Sequence, residues 1–273
     1  MPASDLKSLE NNLSGKMLEI LEYKLVELAN KKNNTPLSFL QGAIAKTNFV
    51  SRSFSAVLKM ESGISLIAEV KRASPTLSEI NLDLNILEQA RNYEKDGAKA
   101  ISVLTDEHFF KGSLKYLKEI RAQVNLPLLR KDFIFDEYQV YDAKLFGADA
   151  ILLITSILTL EKLQELILLA RELGLDSLVE VHSQEDLTKA LKTEAEIIGI
   201  NARNLTTFQI DLQNILNLAP LVPQDKLLVA ESGISSRHNV EQLRKVGIKC
   251  ILVGTTLMQA KDLPAKINEL RLQ

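Results

Sequence analysis

Three stretches of the chain share one pattern: an amphipathic run closes on a glycine, and an apolar run follows at once. They are Gly97-Ala98-Lys99-Ala100-Ile101, Gly147-Ala148-Asp149-Ala150-Ile151 and Gly247-Ile248-Lys249-Cys250-Ile251. The pattern predicts a helix ended by a C′ glycine and then a buried strand. Gly97 and Gly147 lie 50 residues apart and Gly247 a further 100 along. A common unit of about 25 residues holds a short strand, a loop and a helix of about three turns. Eight apolar strand candidates follow, at residues 66–70, 100–104, 126–129, 150–154, 177–181, 197–200, 227–230 and 250–253. Helical patterns lie between them, for example over 160–173. Ser183-Gln184-Glu185-Asp186 reads as a capped helix start, with Asp where Glu or Gln is usual. Strands that are apolar throughout and alternate with helices predict a parallel sheet covered on both faces. Eight units favour closure into a (β/α)8 barrel over residues 66–273. An open doubly wound sheet is the other arrangement, because strand order is not readable from one sequence.

Residues 1–65 fall outside the repeat. Met17-Leu18, Ile20-Leu21, Leu25-Val26 and Leu28-Ala29 form a helical apolar stripe, and Phe49, Phe54, Val57 and Leu58 add apolar docking surface. The expectation is an N-terminal helical extension packed on the barrel, since no Pro/Gly/Ser-rich linker separates the two. At 273 residues and 46% hydrophobic, the chain suits one such barrel with a modest extension. The net charge of -2 and a pI near 6.0 leave no basic footprint for nucleic acid. A lone cysteine, Cys250, excludes an internal disulfide and a cysteine metal cluster, and its apolar neighbours make it a core residue. The N-terminus has no apolar signal core and no apolar run approaches a membrane span, so a cytoplasmic location is expected. The chain stops soon after the eighth unit, so no second barrel is expected downstream.

In a parallel barrel the C-terminal strand ends and the loops after them build the active site. Here those ends are charged. The first strand ends in Glu69-Val70-Lys71, and alternation puts Glu69 and Lys71 on one face. The third leads to Lys131-Asp132, the fifth to Glu180 and His182, and the sixth to Asn201 and Arg203. The seventh ends in Glu231-Ser232-Gly233 and the eighth in Gly254-Thr255-Thr256. Any one of these reads as a solvated loop charge, but together they read as a site. The last two loops place glycine and hydroxyl residues just after a strand. Glycine lets backbone N–H groups approach an anion, and a following helix N-terminus adds a favourable dipole. Phosphate sites after strands seven and eight recur in this architecture. His108, His182 and His238 lack metal-ligand spacing, and surface or structural roles are expected for them.

The chain resembles the indole-3-glycerol phosphate synthase family. The resemblance rests on Ile67-Ala68-Glu69-Val70-Lys71-Arg72-Ala73-Ser74-Pro75, Ile101-Ser102-Val103-Leu104-Thr105-Asp106-Glu107 with Phe109-Phe110-Lys111-Gly112-Ser113, and Leu128-Leu129-Arg130-Lys131-Asp132-Phe133-Ile134. It continues through Leu178-Val179-Glu180-Val181-His182, Gly199-Ile200-Asn201-Ala202-Arg203-Asn204-Leu205, Ala230-Glu231-Ser232-Gly233-Ile234 and Val253-Gly254-Thr255-Thr256-Leu257-Met258. These segments stand in the family's order, from about Ile20 almost to the C-terminus. Two departures stand out. The family usually follows Ser74-Pro75 with Ser-Lys-Gly, where this chain has Thr76-Leu77-Ser78, and Ala202 replaces a polar residue. Both bear on loop closure and turnover rate more than on reaction type.

The resemblance implies ring closure, decarboxylation and dehydration of 1-(2-carboxyphenylamino)-1-deoxyribulose 5-phosphate in tryptophan biosynthesis. It implies Lys131 as principal general acid and Glu180 as general base, with Glu69 and Lys71 supporting charge and geometry. Lys71 nearby would lower the Lys131 pKa, and Glu69 or Glu180 would raise it. Ser74, Asn201, Arg203, Glu231 and Ser232 would bind substrate, and Phe110, Phe133 and Leu152 would line a slot for its aromatic ring. Gly233, Gly254 and Thr255 would hold the phosphate. No metal or organic cofactor is required, and other enzymes of the pathway are the expected partners. Two alternatives remain open from the sequence: a Schiff-base aldolase using Lys131 as nucleophile, and a phosphate-ligand binding module whose catalysis has decayed.

Overall fold

The computed structural model describes residues 15–47, 49–59, 63–73, 84–205 and 207–272. Ser74 and Thr76-Leu77-Ser78 lie outside the described residues. Three helices precede the first strand: α1 (Gly15–Asn34), α2 (Leu37–Ala45) and α3 (Phe54–Lys59). The rest alternates as β1 (Ser65–Val70), α4 (Ile86–Lys95), β2 (Ala100–Leu104), α5 (Leu114–Arg121), β3 (Leu128–Lys131), α6 (Glu137–Leu145), β4 (Ala150–Ile154) and α7 (Leu160–Glu172). It continues with β5 (Asp176–Val181), α8 (Gln184–Ala190), β6 (Ile197–Asn201), α9 (Leu212–Leu218), β7 (Leu227–Glu231), α10 (Arg237–Lys245), β8 (Cys250–Val253), α11 (Thr255–Met258) and α12 (Leu263–Arg271). The strands pair in sequence order, all parallel, and β8 returns to β1, with Ser65 beside Cys250 and Ala68 beside Val253. The sheet is a closed barrel, which removes the open doubly wound alternative.

The repeat glycines do what their pattern predicts. Gly97, Gly147 and Gly247 take φ values of 98°, 92° and 88° just past α4, α6 and α10. At each, the glycine N–H bonds the carbonyl three residues back and the next N–H bonds five back, as in Ala98 to Tyr93 and Ile248 to Leu243. Orphan carbonyls at the helix end are thereby satisfied before the strand begins. Ser183 caps α8 by accepting from the Asp186 N–H, but Asp186 reaches the His182 N–H, one residue earlier than a capping box would. The shorter acid side chain changes which donor it meets.

The third strand departs from its expected position. It runs over Leu128–Lys131, not 126–129. Pro127 has no N–H to give a ladder, and the strand instead continues through Arg130 and Lys131, whose charges hid it from the apolar pattern. Arg130 is buried because Gln139 O, Asp132 and the Thr105 hydroxyl satisfy its guanidinium.

The helices before β1 run from the mouth of the barrel to its floor. Met17, Ile20, Leu21 and Leu28 of α1 are buried, as is Lys24, which interrupts the apolar stripe. Its ammonium meets Asp132 at 3.0 Å, Glu27 at 3.1 Å and Asp106 at 3.4 Å. Asp106 and Asp132 follow β2 and β3, so this ion cluster fixes α1 at the C-terminal end of the strands. α2 packs along α6. At the opposite end the Arg52 N–H bonds Asp149 and the Ser55 N–H bonds Asp176, residues that open β4 and β5. Phe49 is held between the cations of Arg121 and Lys144.

Candidate active site

A cavity of about 640 Å³ opens at the C-terminal ends of the strands. Its lining includes Glu69, Lys71, Phe110, Lys131, Phe133, Leu152, Glu180, Asn201, Arg203, Glu231, Ser232, Gly233, Gly254 and Thr255. The described residues proposed from sequence are thus brought together. α1 supplies two more, Met17 and Ile20, which a sequence reading places simply in a helix core.

Lys131 ends β3 and reaches across to two carboxylates. Its Nζ donates to Glu180 Oε2 at 3.0 Å and stands 3.4 Å from Glu231 Oε2. Both glutamates are 2% exposed in their side chains. Lys71 pairs instead with Glu69, 2.8 Å away. Burial alone would lower the Lys131 pKa, but Glu180, Glu231 and Glu69 outweigh it and hold it well above the ordinary lysine value. The balance left open by the sequence therefore falls to the carboxylates. Burial would raise Glu180, yet Lys131 and His182 hold it well below the carboxylate range. For Glu231 burial wins, reinforced by the Glu180 charge, and its pKa is held well above the ordinary value despite Lys131. Two buried carboxyls facing one ammonium do not both ionise freely.

The walls are set by polar anchors behind them. Asp106 Oδ1 accepts from the N–H groups of Phe109 and Phe110, which fixes the loop after β2. Asp132 Oδ1 accepts from the Phe133 N–H. The rings of Phe110 and Phe133 come to 6.2 Å between centroids and form an apolar wall of the cavity that Lys131 also lines. Asn201 Oδ1 accepts from the Arg203 N–H, and Arg203 donates to Phe208 O, so the loop after β6 is self-braced. Burial lowers the Arg203 pKa, with Glu69 opposing. Ala202 is buried and does not line the cavity, so this departure removes no side chain from it.

The last two loops differ in detail from the expectation. Ser232 takes φ 67° and Gly233 φ 74°, two successive left-handed residues. The chain thereby turns sharply straight after β7, a course that Gly233 adopts without a Cβ penalty. Thr256 Oγ1 donates to Ile234 O and ties the two loops together. Gly254 has φ −118°, which any residue can adopt. A Cβ there would meet Glu69 Oε1, with Lys71 Nζ 3.0 Å away, so any larger residue pushes these side-chain ends aside. The glycine's small size makes room for the ion pair. The helix after it, α11, spans 4 residues, so little macrodipole is available there. Beside Gly233 the Ile210 side chain packs so closely that a Cβ there would strike its Cγ2.

His182 stands among the charged strand ends, with a surface or structural role expected for it. Its Nε2 lies 3.1 Å from Glu180 Oε1, on the side opposite Lys131's contact with Oε2. No trio of His, Cys, Asp or Glu among the described residues is arranged to hold a metal ion.

A closed parallel barrel whose mouth joins an ammonium, buried carboxyls, an aromatic slot and paired glycine loops defines an enzyme of acid–base chemistry on an anionic small molecule. The family model described as indole-3-glycerol phosphate synthase matches residues 17–270. Indole-3-glycerol phosphate synthase of Campylobacter jejuni is 44% identical over 89% of this chain and 95% of its own. That of Alkaliphilus metalliredigens is 44% identical over 93% and 97%, and that of Endomicrobium trichonymphae 46% identical over 83% and 86%. The chain belongs to the indole-3-glycerol phosphate synthase family, the carboxy-lyases that form indole-3-glycerol phosphate in tryptophan biosynthesis. A solved 3-hexulose-6-phosphate synthase shares the fold, with a TM-score of 0.61 at 17% identity over 77% of this chain and 99% of that one. A thiamine phosphate pyrophosphorylase from Pyrococcus furiosus does so with a TM-score of 0.56 at 21% identity, over 77% and 94%.

Proposed function

We propose that Lys131 is the principal general acid and Glu180 the general base in closing the indole ring of 1-(2-carboxyphenylamino)-1-deoxyribulose 5-phosphate. The observation that carries this is the Lys131 ammonium, held protonated between Glu180 and Glu231 in the cavity that Phe110 and Phe133 also line. The aromatic carbon bearing the carboxylate attacks the ketone carbon. As that bond forms, the ketone oxygen becomes alkoxide-like and more basic than an amine, so a proton passes to it from Lys131 despite the raised pKa. The carbon–carboxylate bond then breaks, its electron pair returns to the ring, and carbon dioxide leaves. The new hydroxyl takes a second proton and departs as water, while Glu180 removes a proton so that the pyrrole ring becomes aromatic. Lys71, poised between Glu69 and Gly254, supports charge at the reacting centre and beside the phosphate. Gly233, Gly254 and Thr255 hold the phosphate, Asn201, Arg203, Glu231 and Ser232 the sugar-derived hydroxyls, and Phe110, Phe133 and Leu152 the aromatic ring. Ser74 belongs to this substrate-binding set by its place in the motif alone.

Lys131→Met and Glu180→Gln are each expected to cut kcat by at least ~10²-fold while the fold remains. Steady-state assay of indole-glycerol product checks this, and wild-type turnover in either variant removes its assigned role. A Schiff-base aldolase reading fares worse, because an amine held protonated is not a nucleophile. Borohydride trapping with substrate should leave Lys131 unlabelled. A phosphorylated substrate does not cross membranes, and no described helix is long and apolar enough to do so either, which supports a cytoplasmic enzyme. Other enzymes of the tryptophan pathway are its natural partners in supply and removal of metabolites.

A further inference from the structure

Among the buried residues of α1 only Lys24 is charged. Met17, Ile20 and Lys24 recur at helical spacing and share one face. The first two line the cavity, and the third meets Asp132 at 3.0 Å and Asp106 at 3.4 Å. Each of these carboxylates works in two directions. Asp106 turns Oδ2 to Lys24 and Oδ1 to the N–H groups of Phe109 and Phe110. Asp132 offers Oδ1 to both Lys24 and the Phe133 N–H, and Oδ2 to Arg130 and the Thr105 hydroxyl. One ammonium therefore joins the two anchors that place Phe110 and Phe133. The anchors differ in how far they depend on it. Asp132 has Arg130 and Thr105 besides. Asp106 Oδ2 has no hydrogen-bond partner among the described residues, and Lys24 is the cation it faces. Burial raises the Asp106 pKa, with Lys24 opposing and the Asp132 charge adding to the rise.

We propose that Lys24 is a positioning residue for the aromatic part of the substrate, acting through Asp106 on Phe110. This rests on the reading of Phe110 and Phe133 as the wall that receives that ring. With Lys24 gone, two buried carboxylates face the place where the ammonium stood, and like charges push apart. Asp132 is held by Arg130 and Thr105, so Asp106 is the one that moves. The N–H groups of Phe109 and Phe110 then lose their acceptor, and the Phe110 ring leaves its place near Phe133. The side-chain contacts of Lys24, Asp106 and Asp132 run to α1, β3 and the loops after β2 and β3. The loops proposed for the phosphate follow β7 and β8. The loss therefore falls on ligands that carry an aromatic ring, and a ringless sugar phosphate keeps its seat.

The chain has no tryptophan, so indole fluorescence reports bound product without interference from the protein. Titration of Lys24→Met with indole-3-glycerol phosphate is expected to show binding about tenfold or more weaker than in wild type, the scale of losing part of a buried aromatic contact. Ribulose 5-phosphate, which has the phosphate and the sugar hydroxyls but no ring, should compete with an inhibition constant within about twofold of wild type. In steady state KM should rise more than kcat falls. Asp106→Asn keeps an oxygen for the two N–H groups and removes the charge. Added to Lys24→Met, it should restore most of the lost product affinity, which a lysine that only holds α1 in place would not allow. Lys24→Gln, neutral but still a donor, should show the same ring-selective loss and decides the matter if Lys24→Met does not fold. Wild-type affinity for product in the Lys24 variants overturns the proposal. Equal loss for both ligands overturns it too, since that marks general damage to the mouth, and so does a double variant that binds product no better than Lys24→Met. Phe133→Ala tests the underlying reading separately: if it binds product as tightly as wild type, the wall does not receive the ring, whatever Lys24 does.

Discussion

Glu231 has a raised pKa in the same pocket where Glu180 has a lowered one, and the difference can be measured. An unfolded glutamate ionises near about pH 4.3, while folded Glu231 keeps its proton to higher pH. Above that point the unfolded state binds fewer protons, so this group weakens the fold as pH rises. Lys131, with a raised pKa, contributes stability that is lost only above the ordinary lysine range, and Glu180, with a lowered one, loses its contribution only below the ordinary carboxylate range. In the window that opens above about pH 5 the effect within this trio therefore belongs to Glu231, while buried Asp106 and Asp142, also raised, act in the same direction in both proteins. Glu231→Gln removes it. The Tm of this variant minus that of wild type should increase across the window, and a difference that stays flat or falls would show Glu231 to be ionised in the fold. The charged members of this pocket were legible from sequence because they stand at the ends of otherwise apolar strands. His182 was less so, although its position two residues after Glu180 places both on one face of the extended chain. Met17 and Ile20 gave no signal, because a cavity wall and a packed helix face have the same apolar spacing.

Among the elements, the helix ends offer the cleanest comparison. Gly97 and Gly247 share a left-handed conformation, but a Cβ at Gly247 meets nothing within 4 Å, whereas one at Gly97 strikes the Arg271 guanidinium. Gly247→Ala should cost about 1–2 kcal/mol from backbone strain alone, and Gly97→Ala more, as read by urea unfolding. α1 makes a different demand. Lys24 is 2% exposed and faces three carboxylates, so Lys24→Met leaves Asp106 and Asp132 buried with one counter-charge fewer. A loss of about 3–5 kcal/mol is expected by the same measurement. Periodicity found α1 and the glycine-ended helices because both rest on local chain geometry. It misplaced β3 because burial of Arg130 depends on Gln139, Asp132 and Thr105, partners that only the folded chain assembles.

At the scale of the whole molecule, the count of eight units was readable, but closure was not, since it depends on β8 meeting β1, which lies far upstream in the chain. The mouth so formed takes ligand groups from most of the strands at once, and a ligand that binds only the folded form should stabilise all of it together. Indole-3-glycerol phosphate at ~100 times its dissociation constant should add about 2.7 kcal/mol. Its dephosphorylated counterpart at equal concentration should add less, and equal shifts in a thermal melt would argue against an anion seat at the paired loops.

Gly254 carries a consequence for how such a gene can change. The vacancy at this residue, in the final fifth of the sequence, is occupied by the carboxylate of Glu69 and bordered by the Lys71 amine, from its first third. A side chain added at the later position therefore displaces groups supplied by the earlier one. A chimaera that grafts a last strand and its loop with alanine in place of this glycine should express and assemble, yet lose turnover by displacing an acid and an amine encoded some 180 positions upstream.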